Sequence, residues 1–153
     1  MSKPRKELPL KPDKRYRQGY FYPKNKDKME GDRAIYRSGL ELKFFRFCDS
    51  NENVLKWGSE SITIPYKGAD GKPHTYYVDG FILMKEGDKT VKYLIEVKPH
   101  KQTKEPVKRN QKKSTFIYEC VEWDKNQRKW KAAKAFSDKY GFKFLILTEK
   151  HLS

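Results

Sequence analysis

Long hydrophobic runs are missing from this chain: its apolar stretches extend for only a few residues, far short of the roughly 20 that a membrane-spanning helix needs. The sequence therefore predicts neither a membrane span nor a secretory segment. Cysteine is nearly absent. Cys48 and Cys120 are widely spaced and flanked by apolar or aromatic residues, a pattern that reads as two reduced core thiols in a cytosol rather than a disulfide or a metal-ligand cluster. No internal repeat and no second domain are evident at 153 residues, a length that suits one domain with a proper core. Acidic residues are too few to balance the basic ones. Twenty Asp and Glu stand against 35 Lys and Arg, leaving a net charge of +15 and a pI near 9.7, which points to a polyanionic partner.

The excess charge is concentrated in two places. Residues 1–28 carry a net +7 and residues 98–113 a net +6, whereas residues 29–97 are close to neutral. The expected organisation is an extended basic arm over 1–33 and a domain over 34–153, with a basic loop inside it. In the arm, Lys and Arg, including Arg15 and Arg17, alternate with Tyr16, Tyr20, Phe21 and Tyr22. Such a mixture suits phosphate contact and base stacking, and equally suits an arm laid on the protein's own surface by its aromatics. Neither basic segment has the apolar stripe of a membrane-surface helix, so nucleic acid is expected ahead of a membrane.

Ser38-Gly39-Leu40-Glu41 is an S-x-x-E capping box, and Leu40, Phe44 and Phe47 continue it as one helical stripe to about Cys48. Val54–Trp57 and Ser61–Tyr66 read as short strands, with Pro65 at a strand end or sheet edge. Two longer strands, 76–84 and 91–97, flank the turn signal Lys85-Glu86-Gly87-Asp88-Lys89. Residues 99–115 read as a loop. A long helix is expected from about Val121 to Tyr140, closed by Gly141, followed by a buried strand over 142–147.

The hairpin carries the chemistry. With Gly87 and Asp88 central in a type II′ turn, opposed residues have numbers summing to 175, and Asp79 faces Glu96. Two like charges so placed repel, and a divalent cation would neutralise them. Lys98 lies two residues beyond Glu96 and shares its side of the strand. The opposite side, with Val78, Ile82, Met84, Val91, Tyr93, Ile95 and Val97, forms the expected core surface. Asp79 and Glu96, with the Val97 carbonyl, suit Mg²⁺ as a hard ion bound through oxygen. Lys98 would stabilise charge on a scissile phosphate. The chemistry expected is phosphodiester hydrolysis.

The order of elements and the Asp79…Glu96-Val97-Lys98 signature resemble the PD-(D/E)xK nuclease superfamily, with Val78 where that motif has proline. Tyr36 to Glu41, Trp57 to Glu60 leading to Ile64-Pro65-Tyr66, Tyr93 to Pro99 with Lys101-Gln102-Thr103, and Asn126 with Lys129 to Ala133 are similar to the tailed-phage head completion nucleases and to TnsA-like transposition nucleases. The resemblance covers about residues 34–149. It implies an α/β (α+β) mixed sheet, a restriction-endonuclease-like αβββαβ core with a basic N-terminal arm. It further implies an endonuclease that uses Mg²⁺, with Mn²⁺ as a substitute. The activity so implied belongs to phage head completion after DNA packaging, with the cytoplasm of the infected bacterial host and virion heads as the expected places and head or portal components as further expected partners. Glu41 would correspond to the acidic residue that the superfamily carries on its first helix near the metal.

Phosphate contacts are expected from Lys101, Gln102, Lys104, Lys108, Arg109, Lys112 and Lys113. His74 reads as a surface histidine or a proton shuttle, Glu60 as a strand-end charge or a further ligand, and Asn126 and Gln127 as site neighbours. Two rival readings are a non-catalytic DNA-binding head protein and a subunit of a TnsA-like transposase.

Overall fold

The computed structural model describes residues 17–152. Its centre is a four-stranded mixed sheet in the order β3-β6-β7-β8, formed by β3 (Val54–Ser59), β6 (Gly80–Glu86), β7 (Lys89–Val97) and β8 (Lys143–Leu147). The first three are antiparallel in sequence, while β8 lies parallel to β7. A parallel neighbour requires a crossover, and α2 (Lys113–Tyr140) supplies it. Helix α1 (Gly39–Ser50) precedes the sheet. The sequence α1, β3, β6, β7, α2, β8 is the αβββαβ order expected. Two small hairpins are added to it: β1 (Gly19–Phe21) with β2 (Ala34–Tyr36), and β4 (Thr63–Lys67) with β5 (Pro73–Tyr77).

The central hairpin has the register read from the turn. Gly80 pairs with Ile95, Ile82 with Tyr93 and Glu86 with Lys89. Gly87 has φ +66° and Asp88 does not enter the positive region, the pattern a type II′ turn needs. Ile82, Ile95 and Val97 pack with Phe44, Phe45 and Cys48 of α1 and with Trp57.

Three expectations are corrected. First, the strand expected over 76–84 is broken at Val78-Asp79: its first half pairs with β4 in a separate hairpin, and Val78 joins Ile62, Ile64, Tyr76 and Leu94 in the core beneath α2. Second, the side of the sheet bearing the acids is apolar over most of its length, because Phe81, Leu94, Phe144 and Ile146 meet Trp130 and Ala133 of α2 there. The acids occupy one end of that side. Third, α2 begins at Lys113 rather than near Val121. Ile117, Tyr118 and Val121 are exposed in its first turns, so no apolar stripe marks that part of the helix. Gly141 closes it at φ +77°, as expected.

Arg15 lies outside the described residues, and Arg17 is exposed. From Gly19 onward the expected arm lies on the body. β1 pairs with β2, Met29 is buried against Trp57, and the Asp49 carboxylate accepts hydrogen bonds from the backbone of Lys24 and Asn25 at 3.0 Å each. The Lys28 amine donates to the carbonyls of Asp49 and Asn51, capping the negative end of α1.

Candidate active site

Asp79 stands where the chain passes from the outer hairpin to β6, and its Oδ2 accepts from the backbone N–H of Val97 at 2.7 Å. That bond fixes the carboxylate against the end of β7, within hydrogen-bonding reach of Glu96. Burial, then the Glu96 charge, push the Asp79 pKa well above the ordinary carboxylate value. Glu96 is 4% exposed. Its Oε2 accepts from the indole Nε1 of Trp130 at 2.7 Å and lies 3.9 Å from the Lys98 amine. The structure thus brings Asp79, Glu96 and Lys98 together on one side of the sheet.

Glu41 has a different surrounding. Its backbone N–H donates to Ser38 Oγ at 3.1 Å, and its Oε1 accepts from the N–H of Arg37 at 3.1 Å. The capping box is therefore present, with its return bond one residue upstream of the usual N-cap N–H. Burial raises the Glu41 pKa to about 7, with the charges of Glu60 and Glu96 contributing and Arg37 opposing. Among the described residues, no three His, Cys, Asp or Glu gather closely enough to hold a metal ion by themselves.

A raised carboxylate pKa means that the folded state binds more protons than the unfolded state between the two values. The stabilising contribution is complete below about pH 4.5 and is lost as pH rises through about 7. Glu41→Gln keeps an acceptor for the Arg37 N–H and removes the charge. It is expected to stabilise the metal-free protein at pH 8 by about 3 kcal/mol, because the carboxyl titrates at about 7 instead of the ordinary 4.5 and each pH unit between the two is worth 1.36 kcal/mol. The gain should vanish at pH 4. Thermal melts of both proteins across that range provide the check, and a pH-independent difference would contradict the assignment.

Three site residues were not legible as such. Trp130 has the spacing of a core residue of α2, yet its indole orients Glu96. Lys129 places its amine 5.5 Å from the centre of the Tyr76 ring and interacts electrostatically with Lys98, Glu96 and Asp79; burial, first, lowers its pKa. Among the described residues, the Tyr76 hydroxyl, buried beside Glu96, has no hydrogen-bond partner of good geometry. Burial and the nearby Glu96 and Asp79 charges raise its pKa.

A buried hydroxyl left unpaired costs about 1–3 kcal/mol, so this orphan marks a place for water or a hydrated ion. The donor set fits a hard cation for the same reason. Val97 positions one oxygen of Asp79 and Trp130 one oxygen of Glu96, and both are hard ligands whose mutual repulsion a divalent charge relieves.

His74 is an exposed residue that pairs with Asp70 at 3.0 Å and stacks on Tyr66. Glu60 ends β3 in a left-handed conformation, φ +53°, and pairs with Arg37 at 3.3 Å. Asn126 is buried in α2, while Gln127 is exposed. In the basic loop, Arg109 pairs with Glu119 at 3.1 Å, and the Lys108 amine donates to the Gln111 carbonyl at 2.9 Å. Lys101, Gln102, Lys104, Lys112 and Lys113 are exposed.

An αβββαβ core with two carboxylates and a lysine at one end of its sheet defines the class of restriction-endonuclease-like folds, and residues 51–149 match the family described as TnsA-like endonuclease N terminal. Nearly the whole chain is similar to the Head completion nuclease of Enterobacteria phage T4: 41% of 141 residues are identical, covering 88% of this chain and 92% of that protein. The chain belongs to the head completion nucleases, within the TnsA-like endonuclease family.

Proposed function

We propose that this protein is a Mg²⁺-dependent endodeoxyribonuclease that hydrolyses phosphodiester bonds of DNA during phage head completion, after packaging. It works in the cytoplasm of the infected bacterium and at the head itself, beside head or portal components. The observation that carries this reading is the convergence of Asp79, Glu96 and Lys98 at one sheet end, with Trp130 holding Glu96.

The Asp79 and Glu96 carboxylates and the Val97 carbonyl would hold the ion. When bound, Mg²⁺ or Mn²⁺ supplies positive charge to the scissile phosphate and acidifies water there. Trp130 and the Val97 N–H keep the two carboxylates in place, so no reorganisation is needed during reaction. Lys98 donates to a phosphate oxygen as charge grows on it. A water oxygen bonds to phosphorus and gives up one proton to solvent, the bond to the departing sugar oxygen breaks, and that oxygen takes a proton from solvent. Glu41 interacts electrostatically with both acids, its carboxyl committed to the start of α1. Lys101, Lys104, Lys112 and Lys113 hold backbone phosphates beside the site, with Lys108, Arg109, Arg15 and Arg17 adding to the field.

The test is incubation of the purified protein with linear, circular and branched DNA in Mg²⁺, Mn²⁺ or EDTA. Cleavage is expected with either ion and not in EDTA, and DNA affinity should fall steeply with salt. Cleavage that persists in EDTA would remove the metal from the proposal. Binding without cleavage under every condition would make the protein a DNA-binding head component instead.

A further inference from the structure

Between the β4–β5 hairpin and α2 lies a cleft of about 480 Å³, lined on one wall by Tyr66 and His74 and on the other by Lys125, Arg128 and Lys129. The rings of Tyr66 and His74 are stacked, with centroids 5.6 Å apart, and the His74 side chain is 43% exposed. Two of the acidic groups nearby are paired, while Glu122 is a third whose charge reaches Tyr66. Asp70 pairs with His74 at 3.0 Å and Asp124 with Arg128 at 2.9 Å. Lys125 and Lys129 form no ion pair among the described residues, although each feels the other's charge. Two amines without an ion-pair partner among the described residues therefore line the same cleft as the aromatic stack, Lys129 also feeling the charges of Glu96 and Asp79.

The cleft also leads to the acidic site. Lys129 lines it and at the same time stands over the ring of Tyr76, whose hydroxyl lies beside Glu96. A ligand bound here would have one end at the stack and the other near Asp79 and Glu96.

We infer that this cleft binds an unpaired nucleotide of the DNA substrate, the base on the Tyr66–His74 stack and the flanking phosphates on Lys125 and Lys129. The inference rests on the nuclease reading above and adds to it a substrate class: DNA with single-stranded ends, flaps or branches. Its size suits one small ligand rather than a duplex. An aromatic face within a concavity is met only by a base that has left its helical stack, and stacking of that kind tolerates any base.

Binding is measured by fluorescence anisotropy with a labelled oligothymidine and a labelled blunt duplex in EDTA. Tyr66→Ala is expected to weaken oligothymidine binding roughly 5- to 150-fold, the loss of one stacked base, with a much smaller effect on the duplex. Tyr66→Phe should bind like the parent. Lys125→Ala, at an exposed helix position, should reduce the salt slope for the oligothymidine by about 0.7, one phosphate contact on a single strand. Equal losses on both DNAs, or no loss on either, would overturn the inference. So would an unchanged salt slope in Lys125→Ala, which also decides the matter if Tyr66→Ala does not fold. Cleavage of either DNA by the parent in Mg²⁺ is scored separately. A parent that cuts but ignores Tyr66 loses only the cleft, and one that binds through Tyr66 but never cuts loses only the nuclease reading.

Discussion

Asp79→Asn is expected to lower DNA cleavage by about a thousandfold or more while making the metal-free protein harder to melt. In the proposed mechanism Asp79 is one of two anionic oxygen ligands: several kilocalories of charge stabilisation at the phosphate would depend on the ion, and each 1.36 kcal/mol is tenfold in rate. The gain in stability follows from the same charge. Burial and Glu96 raise the Asp79 pKa in the folded protein, so its stabilising contribution is present below the unfolded value near 3.8 and is lost as pH rises through the folded value. At pH 8 the carboxylate is a burden to the apo-protein. Asparagine relieves it and retains an oxygen for the Val97 N–H. Mg²⁺ should raise the melting temperature of the parent by mass action and leave that of Asp79→Asn unchanged. Undiminished cleavage, or a variant that melts earlier at pH 8 and still responds to Mg²⁺, would refute the assigned role.

Much of this arrangement was legible because it is local. Gly87 and Asp88 set the hairpin register, and from the register alone Asp79 meets Glu96, with Lys98 two residues further on. The capping box at Ser38 was equally readable, since its partners are three residues apart. The contacts that escaped detection join distant segments. Trp130 lies 34 residues from the Glu96 it orients, and its spacing with Ala133 is that of an ordinary core stripe. Nothing in the periodicity of α2 separates a buried indole that packs from one that also donates. The Tyr76-Tyr77-Val78 run has the composition of a continuous strand, yet the chain changes sheets at Val78-Asp79. Its β4 partner reads separately as a short strand with a proline, and pairing between the two is a tertiary fact. The early turns of α2 have exposed apolar residues and charges without a period, so propensity alone gave no boundary.

The break at Val78-Asp79 gives Gly80 its importance. A Cβ at this position would lie 2.8 Å from Cε2 of Phe44 and 2.9 Å from the carbonyl oxygen of Gly58. Phe44 is fully buried between α1 and the sheet, and the Gly58 oxygen belongs to the neighbouring strand, so neither can yield without moving backbone. Gly80→Ala is therefore an overpacking change, expected to cost about 1–3 kcal/mol. For a chain of this size, that corresponds to a fall in melting temperature of roughly 3–10 °C. The effect on cleavage should be larger than the stability loss implies. Gly80 is bonded directly to Asp79, and a displacement of about 1 Å at a catalytic group can reduce rate about a hundredfold. Both deficits should appear at a temperature where the variant is folded. Phe44→Leu, destabilising by itself, should recover part of each in the Gly80→Ala background, because residues in contact do not behave additively. A Gly80→Ala protein that melts and cuts like the parent, or a double variant with strictly additive losses, would show that the close approach of Phe44 to β6 does not position Asp79.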